Sequence, residues 1–190
     1  MKQEKMCSKK FTKGFTLLEL LVVVLIIGIL AGIALPQHKK AVEKSKASQG
    51  LTLIKAISES IKSYHLTTGH YPTSFEQLDI DIPESFDKDE KFIHNNVTYG
   101  KSNKDWNISI ERYPDESAVT LYMIRISGRY QGAGFVVGYS ISDNVLCLER
   151  TFGANYLFNS NLSAGAYCEK LMGVTTLASE SVYGRAYYLN

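Results

Sequence analysis

An uninterrupted apolar run follows a short basic segment at the start of the chain. Residues 20–35 contain no charged side chain. A helix over residues 15–35 has 21 residues and is about 31 Å long at 1.5 Å per residue, close to a hydrocarbon core of about 30 Å. The pattern therefore predicts one membrane-spanning helix.

A single apolar stripe continues beyond this run. Pro36 predicts a kink rather than an end of the helix, because the helical period persists after it. Apolar or small residues recur at steps of three and four: Ala47, Gly50, Ile54, Ile57, Ile61 and Tyr64. This spacing predicts a helix over about residues 15–66 whose second half packs on another element. Gly69 and Pro72 are typical of a helix end.

From residue 91 onward, apolar and polar positions alternate with period two. The candidate strands are FIHNNVTY, WNISIERY, AVTLYMIRIS, GFVVGYSIS and VLCLERTF. Short turns rich in Gly, Asn and Pro separate them, which is typical of an antiparallel meander. Residues 153–190 are rich in Gly, Ser, Asn and Tyr, and this composition predicts mostly loop, with one short helix around residues 167–172. The predicted fold class is α+β, a long N-terminal helix packed on a C-terminal antiparallel β-sheet.

Composition and charge restrict the possible functions. The chain has 190 residues, 45% of them apolar, which suffices for one domain with a core. Its 21 Lys+Arg and 19 Asp+Glu are spread along the chain, so nothing indicates binding to nucleic acid. Five lysines precede the apolar run, which predicts a cytoplasmic N-terminus and an external location for the residues after Pro36.

The three cysteines lie on opposite sides of the apolar run. Cys7 is in the basic segment, whereas Cys147 and Cys168 lie in the C-terminal part with 20 residues between them. If that part is outside the cytoplasm, the pair predicts a disulfide worth roughly 3 kcal/mol. Two unrelated buried thiols are the alternative.

Motifs for catalysis, metal binding or cofactor binding are not evident in the sequence. Residues 79–90, DIDIPESFDKDE, begin like an EF-hand loop, but Pro83 and Glu84 stand where that loop needs a ligand and a glycine. The four histidines are scattered, without the spacing of a zinc site. We therefore expect no catalytic residue, no metal and no cofactor.

Residues 13–19, KGFTLLE, closely resemble the N-terminal processing signal of type IV pilins and of the related pseudopilins of type II secretion systems. The resemblance covers about residues 13–65 and implies a pilin-like fold. It implies that a prepilin peptidase cuts between Gly14 and Phe15, and that Phe15 is then N-methylated. Glu19 becomes the fifth mature residue, and Pro36 lies where pilins often carry a helix-kinking proline.

The resemblance also implies an organisation and a life cycle. The expected parts are a cytoplasmic leader (1–14), a transmembrane and filament-core helix (15–36), the soluble half of that helix (37–68) and a globular β domain (69–190). The chain is expected in the bacterial inner membrane as a single-pass precursor, and then in an extracellular pilus. Its expected partners are other copies of itself, the prepilin peptidase, the pilus or type II secretion machinery and the inner membrane.

Glu19 is the residue that a plain membrane anchor does not explain. An acid within a transmembrane helix costs about 2.5 to 3.5 kcal/mol and therefore requires a partner. In the pilin-based model, that partner is the α-ammonium of Phe15 in a neighbouring subunit, and the ion pair sets the register between subunits. The alternative is a carboxylate that reaches water at the cytoplasmic interface.

Three other interpretations of the whole chain stay open. A pseudopilin of a type II secretion system would share the same signal and form a periplasmic filament. A single-span anchored binding domain would keep its N-terminal segment and never polymerise. A secretory signal peptide would be removed after small residues near Ala34, but the apolar run is long for that role.

Overall fold

The computed structural model describes residues 14–89, 97–113, 118–138, 142–149, 162–181 and 184–189. Within these ranges it contains one α-helix, one 3-10 turn and eight strands. The helix is α1 (Leu17–Thr68), and the 3-10 turn spans Phe75–Gln77. The strands are β1 (Lys88–Asp89), β2 (Val97–Ser102), β3 (Trp106–Arg112), β4 (Val119–Arg125), β5 (Ala133–Gly138), β6 (Ser142–Glu149), β7 (Leu177–Ser181) and β8 (Gly184–Tyr188).

Helix α1 has 52 residues and passes through Pro36 without interruption. Its observed ends lie two residues later than the predicted ones. Gly69 ends the helix in the left-handed conformation, with φ of 75°, and its N–H donates to the carbonyl oxygen of His65 at 2.8 Å. This arrangement satisfies a terminal carbonyl at a position where other residues would be strained.

The chain divides into two compact units, Met1–Ala41 and Val42–Asn190. In the first unit, the described residues from 17 onward form the first part of α1. Among the described residues, α1 is the one helix that is long and apolar enough to cross a membrane. The second unit contains the remaining part of α1 and all the described strands.

The strands of the second unit form one antiparallel sheet in the order β1-β2-β3-β4-β5-β6-β8-β7. The α+β fold predicted from the sequence is confirmed, and the five predicted strands correspond to β2 to β6. The prediction of a loop at the C-terminus was wrong, because β7 and β8 form a hairpin that pairs with β6 through β8. The predicted helix at 167–172 was also wrong, since residues 164–172 form consecutive turns. Residues 92–96, 139–141 and 150–152 of the predicted strands lie outside the described residues.

The core of the second unit lies between one face of the sheet and the stripe on α1. The predicted stripe residues Ala47, Gly50, Ile54, Ile57 and Ile61 are all buried, and Tyr64 is partly buried. Sheet residues in the same cluster include Trp106, Ile108, Ile110, Leu121, Met123, Phe135 and Val137. At Gly50 the helix comes so close to the sheet that an added Cβ would lie 2.8 Å from Cζ2 of Trp106. The glycine in the stripe is therefore a close-packing position.

Ion pairs attach α1 to the sheet beside Trp106. The Arg125 side chain is 1% exposed, and its Nη1 lies 3.0 Å from Oε2 of Glu43 on α1. Lys46 Nζ, also on α1, lies 3.0 Å from Oδ1 of Asp105. Desolvation raises the pKa of Asp105, but the hydrogen bond and charge of Lys46, helped by Arg125, outweigh it and hold the pKa below its ordinary value. The carboxylate is therefore charged in the folded protein at neutral pH.

Candidate functional site

The N-terminus of α1 carries a reciprocal hydrogen-bonded cap between Thr16 and Glu19. The Thr16 N–H donates to Glu19 Oε2 at 2.8 Å, and the Thr16 hydroxyl donates to the same oxygen at 2.8 Å. In return, the Glu19 N–H donates to Thr16 Oγ1 at 3.2 Å. This is a capping box, in which the residue before the helix and the third helical residue satisfy each other's free backbone donors.

This cap was missed at the sequence level, although its signal is present. The segment Thr-Leu-Leu-Glu, residues 16–19, matches the Ser/Thr-x-x-Glu pattern of a capping box directly before an apolar run. It gives Glu19 a local partner within its own chain. The negative charge also lies in the first helical turn, where the helix dipole favours it.

The two residues before the cap are exposed. Gly14 and Phe15 precede the first helical residue, and 73% of the Phe15 surface is accessible. A Cβ added at Gly14 would meet nothing within 4 Å in the described part of the chain. Packing among the described residues therefore does not require glycine at position 14.

The surface that follows the cap is apolar on every side of the helix. Large apolar side chains of residues 17–35 are between 43% and 87% exposed. They are Leu17, Leu18, Leu20, Leu21, Val22, Val23, Val24, Leu25, Ile26, Ile27, Ile29, Leu30, Ile33 and Leu35. An exposed apolar surface of this extent needs lipid or other apolar helices around it.

Two glycines lie one helical turn apart on this surface. Gly28 and Gly32 form a Gly-x-x-x-Gly pattern, and a Cβ added at either would meet nothing within 4 Å in the described chain. Small residues at this spacing allow the backbones of two helices to approach closely in an apolar medium. The pattern was also missed at the sequence level.

The structure joins Cys147 on β6 to Cys168 in the turn segment at residues 164–172 by a disulfide. Their Cα atoms are 5.9 Å apart, and both residues are fully buried. The bond lies in the second unit, so it stabilises the sheet rather than the apolar part of α1. Within the described ranges, no group of three or more His, Cys, Asp or Glu side chains could hold a metal ion.

The N-terminal part of the chain is similar to known proteins. Residues 9–35 match the model of the prokaryotic N-terminal methylation motif. The type IV major pilin protein PilE1 of Neisseria gonorrhoeae is 33% identical over 73 residues, which are 38% of this chain and 44% of that protein. The fimbrial protein EcpC of Eikenella corrodens is 41% identical over 64 residues, which are 34% and 42% of the two chains. The type II secretion system core protein G of Escherichia coli (strain K12) is 37% identical over 67 residues, which are 35% and 46%.

The chain therefore spans less than half the length of these curated relatives. The matches confirm the resemblance inferred from KGFTLLE, because the relatives include type IV pilins and a protein of a type II secretion system. The methylation motif covers the exposed Gly14 and Phe15, the capping box and the apolar part of α1.

Proposed function

We propose that this chain is a structural subunit of a type IV pilus-like filament. Prepilin peptidase cuts it between Gly14 and Phe15, and Phe15 is then N-methylated. The observation that carries the proposal is the match of residues 9–35 to the methylation motif, on a helix whose apolar surface is exposed on all sides. The chain is a structural protein in this proposal and performs no chemistry of its own.

The geometry before the helix suits proteolysis. A peptidase needs an accessible, non-helical peptide, and the bond between Gly14 and Phe15 lies just before α1 in an exposed segment. Because no contact of the described chain requires a glycine at position 14, its small size serves the approach of the enzyme to the backbone. Residues 1–14 are the leader that this cut removes.

The apolar part of α1 is then surrounded first by lipid and later by other copies of the same helix. Residues 15–36 first span the inner membrane and later form the core of the filament, where the same residues of other copies replace lipid. The pair Gly28 and Gly32 supports this step, because it permits close contact between helices. Residues 37–68 and the globular part, 69–190, lie outside the membrane in both states, and Pro36 kinks the helix between the two parts.

Glu19 contributes to assembly through a charge that becomes available only after cleavage. The three hydrogen bonds of the cap use Glu19 Oε2 and the Glu19 N–H, so Oε1 takes no part in them. We assign Oε1 to the α-ammonium of Phe15 in a neighbouring subunit. Such a pair in an apolar surrounding forms at one axial offset and thereby sets the register of the filament.

Two measurements test this function. Mass spectrometry of the protein from its native membrane should show an N-terminus at Phe15 with one added methyl group, and an intact Met1 would exclude a processed filament subunit. Glu19→Ala should insert into the membrane but fail to enter filaments. Thr16→Ala is the matched control, because it removes the two cap hydrogen bonds of the Thr16 hydroxyl and keeps the carboxylate. If Thr16→Ala loses filaments to the same extent as Glu19→Ala, capping alone explains Glu19 and the registration role is wrong.

The similarity to core protein G favours a second candidate, a pseudopilin of a type II secretion system. Both candidates share processing and the apolar helix, so the N-terminus does not separate them. Genes for an outer-membrane secretin and several pseudopilins beside this gene would favour secretion. Surface filaments that contain this chain would favour the pilus.

A further inference from the structure

Strand β6 carries two buried functional groups that face the same side of the sheet. Cys147 and Glu149 are two residues apart in an extended strand, so their side chains point in the same direction. Cys147 is fully buried and Glu149 is 4% exposed. Both reach the same turn segment, residues 164–172, which contains no helix and no strand. The processing and assembly described above use neither group.

The Glu149 carboxylate binds three backbone donors of that segment. Its Oε2 accepts the N–H of Gly165 at 2.6 Å, and its Oε1 accepts those of Tyr167 at 2.6 Å and Cys168 at 2.7 Å. A buried carboxylate is costly unless such donors replace the water it has lost. Hydrogen bonds to a charged acceptor are worth more than neutral ones, so these three bonds hold the segment firmly.

One of the three donors belongs to the cysteine that forms the disulfide. The Cys168 N–H is fixed to Glu149 Oε1, while Cys147 lies two residues before Glu149 on the same strand. In the disulfide-bonded protein the Cα atoms of the two cysteines are 5.9 Å apart, and the Glu149 hydrogen bond holds the backbone of Cys168 beside β6 independently of the disulfide. Without this anchor, oxidation would have to close the loop between residues 147 and 168 from a freer ensemble, at an entropic cost.

We propose that Glu149 is a positioning residue for oxidation of Cys147 and Cys168. The oxidant is an external disulfide, for which oxidised glutathione serves as the probe. The thiolate of one cysteine attacks a sulfur of this disulfide, which forms a mixed disulfide and releases one thiol. The second thiolate then displaces the oxidant's sulfur, which forms the protein disulfide and releases a second thiol. Two electrons pass to the oxidant, and the Glu149 carboxylate reacts with nothing.

The test measures the effective concentration of the two thiols in glutathione redox buffers, using the full chain in detergent. All variants carry Cys7→Ser so that the third thiol does not interfere. Glu149→Ala should lower the effective concentration at least about tenfold under native conditions. Glu149→Gln keeps the shape of the side chain but places an amide donor against a backbone donor. Its effective concentration should therefore lie between that of Glu149→Ala and that of the parent. In concentrated guanidinium chloride, all variants should have the same effective concentration, because the unfolded chain no longer holds Glu149 against the turn segment.

Glu169→Gln is the matched control. Glu169 lies in the same segment, but its Oε1 accepts the hydroxyl of Tyr187 at 2.9 Å rather than a cysteine N–H. This variant should oxidise like the parent. An unchanged effective concentration in Glu149→Ala, or a decrease that persists in denaturant, would overturn the proposal. Should Glu149→Ala not fold, Glu149→Gln decides, and parental oxidation in that variant would overturn it as well.

Discussion

Replacing Gly50 by alanine tests how closely α1 contacts the sheet. The new methyl group would lie 2.8 Å from Cζ2 and 2.9 Å from Cη2 of Trp106, well inside normal carbon contact. The indole cannot move away easily. Trp106 is 5% exposed, its ring stacks on Phe135 at 6.2 Å between centroids, and the Arg125 guanidinium lies 5.2 Å from it. The helix backbone or the core must therefore shift.

Two opposing effects determine how much Gly50→Ala changes the free energy of unfolding. Alanine is about 1 kcal/mol more favourable than glycine within a helix, which stabilises the variant. Adding a methyl group to a filled core costs about 1 to 3 kcal/mol, and so short a contact with a fixed ring favours the upper part of that range. We expect Gly50→Ala to lower the free energy of unfolding by about 1 to 2 kcal/mol. Each kcal/mol lowers the Tm of a unit of this size by about 2 to 4 °C.

Thermal unfolding of the full chain in detergent, followed by circular dichroism, measures this effect. Ala56→Gly serves as a reference for helix propensity, because Ala56 is an exposed position on the same helix. In a Trp106→Phe background, Gly50→Ala should be less destabilising, since the smaller ring leaves room for the methyl group. A Gly50→Ala variant as stable as the parent when Trp106 is present, or equally destabilised when Trp106 is replaced by Phe, would refute the close contact.

Two further predictions concern the polar side chains of Asp105 and Tyr167. Asp105 has its pKa lowered from an ordinary 3.8, so its stabilising effect is present above that pH and is lost as the pH falls through the lowered folded pKa. Asp105→Asn should therefore flatten the acid end of the stability profile in urea titrations, and an unaltered profile would contradict this. The Tyr167 hydroxyl is buried without a hydrogen-bond partner among the described residues, so Tyr167→Phe should keep or raise the Tm, and a clear decrease would show a missed partner.

The elements with a strong period were predictable from the sequence. The stripe on α1 repeats over five turns and is buried, so local pattern and tertiary packing agree there. Strands β3, β4 and β5 were also predictable from their apolar segments, although most of their residues are buried on both faces of the sheet. Gly69 was predictable as a cap because a left-handed residue after a helix is a local requirement.

The elements that were missed depend on partners distant in the sequence. Strands β7 and β8, LASES and GRAYY, are short and rich in small or polar residues, and β8 is specified by pairing with β6. The role of Glu149 depends on donors 16 to 19 residues later, which no local pattern indicates. The Thr16–Glu19 cap is different, because its motif is local and was available in the sequence.

Cleavage in the proposed pathway changes the electrostatics around Glu19 within a single subunit. Before the cut, the nitrogen of Phe15 is a neutral amide, and afterwards it is an ammonium one residue before the cap. A positive charge near the N-terminus of a helix opposes the helix dipole, typically by about 0.3 to 1 kcal/mol. Glu19, held in place by Thr16, offsets that charge. The carboxylate is thus oriented by its own chain before a neighbour arrives. Loss of the Glu19 side chain removes the charge and both hydrogen bonds that its carboxylate accepts, whereas loss of the Thr16 side chain removes the two hydrogen bonds of its hydroxyl and keeps the charge.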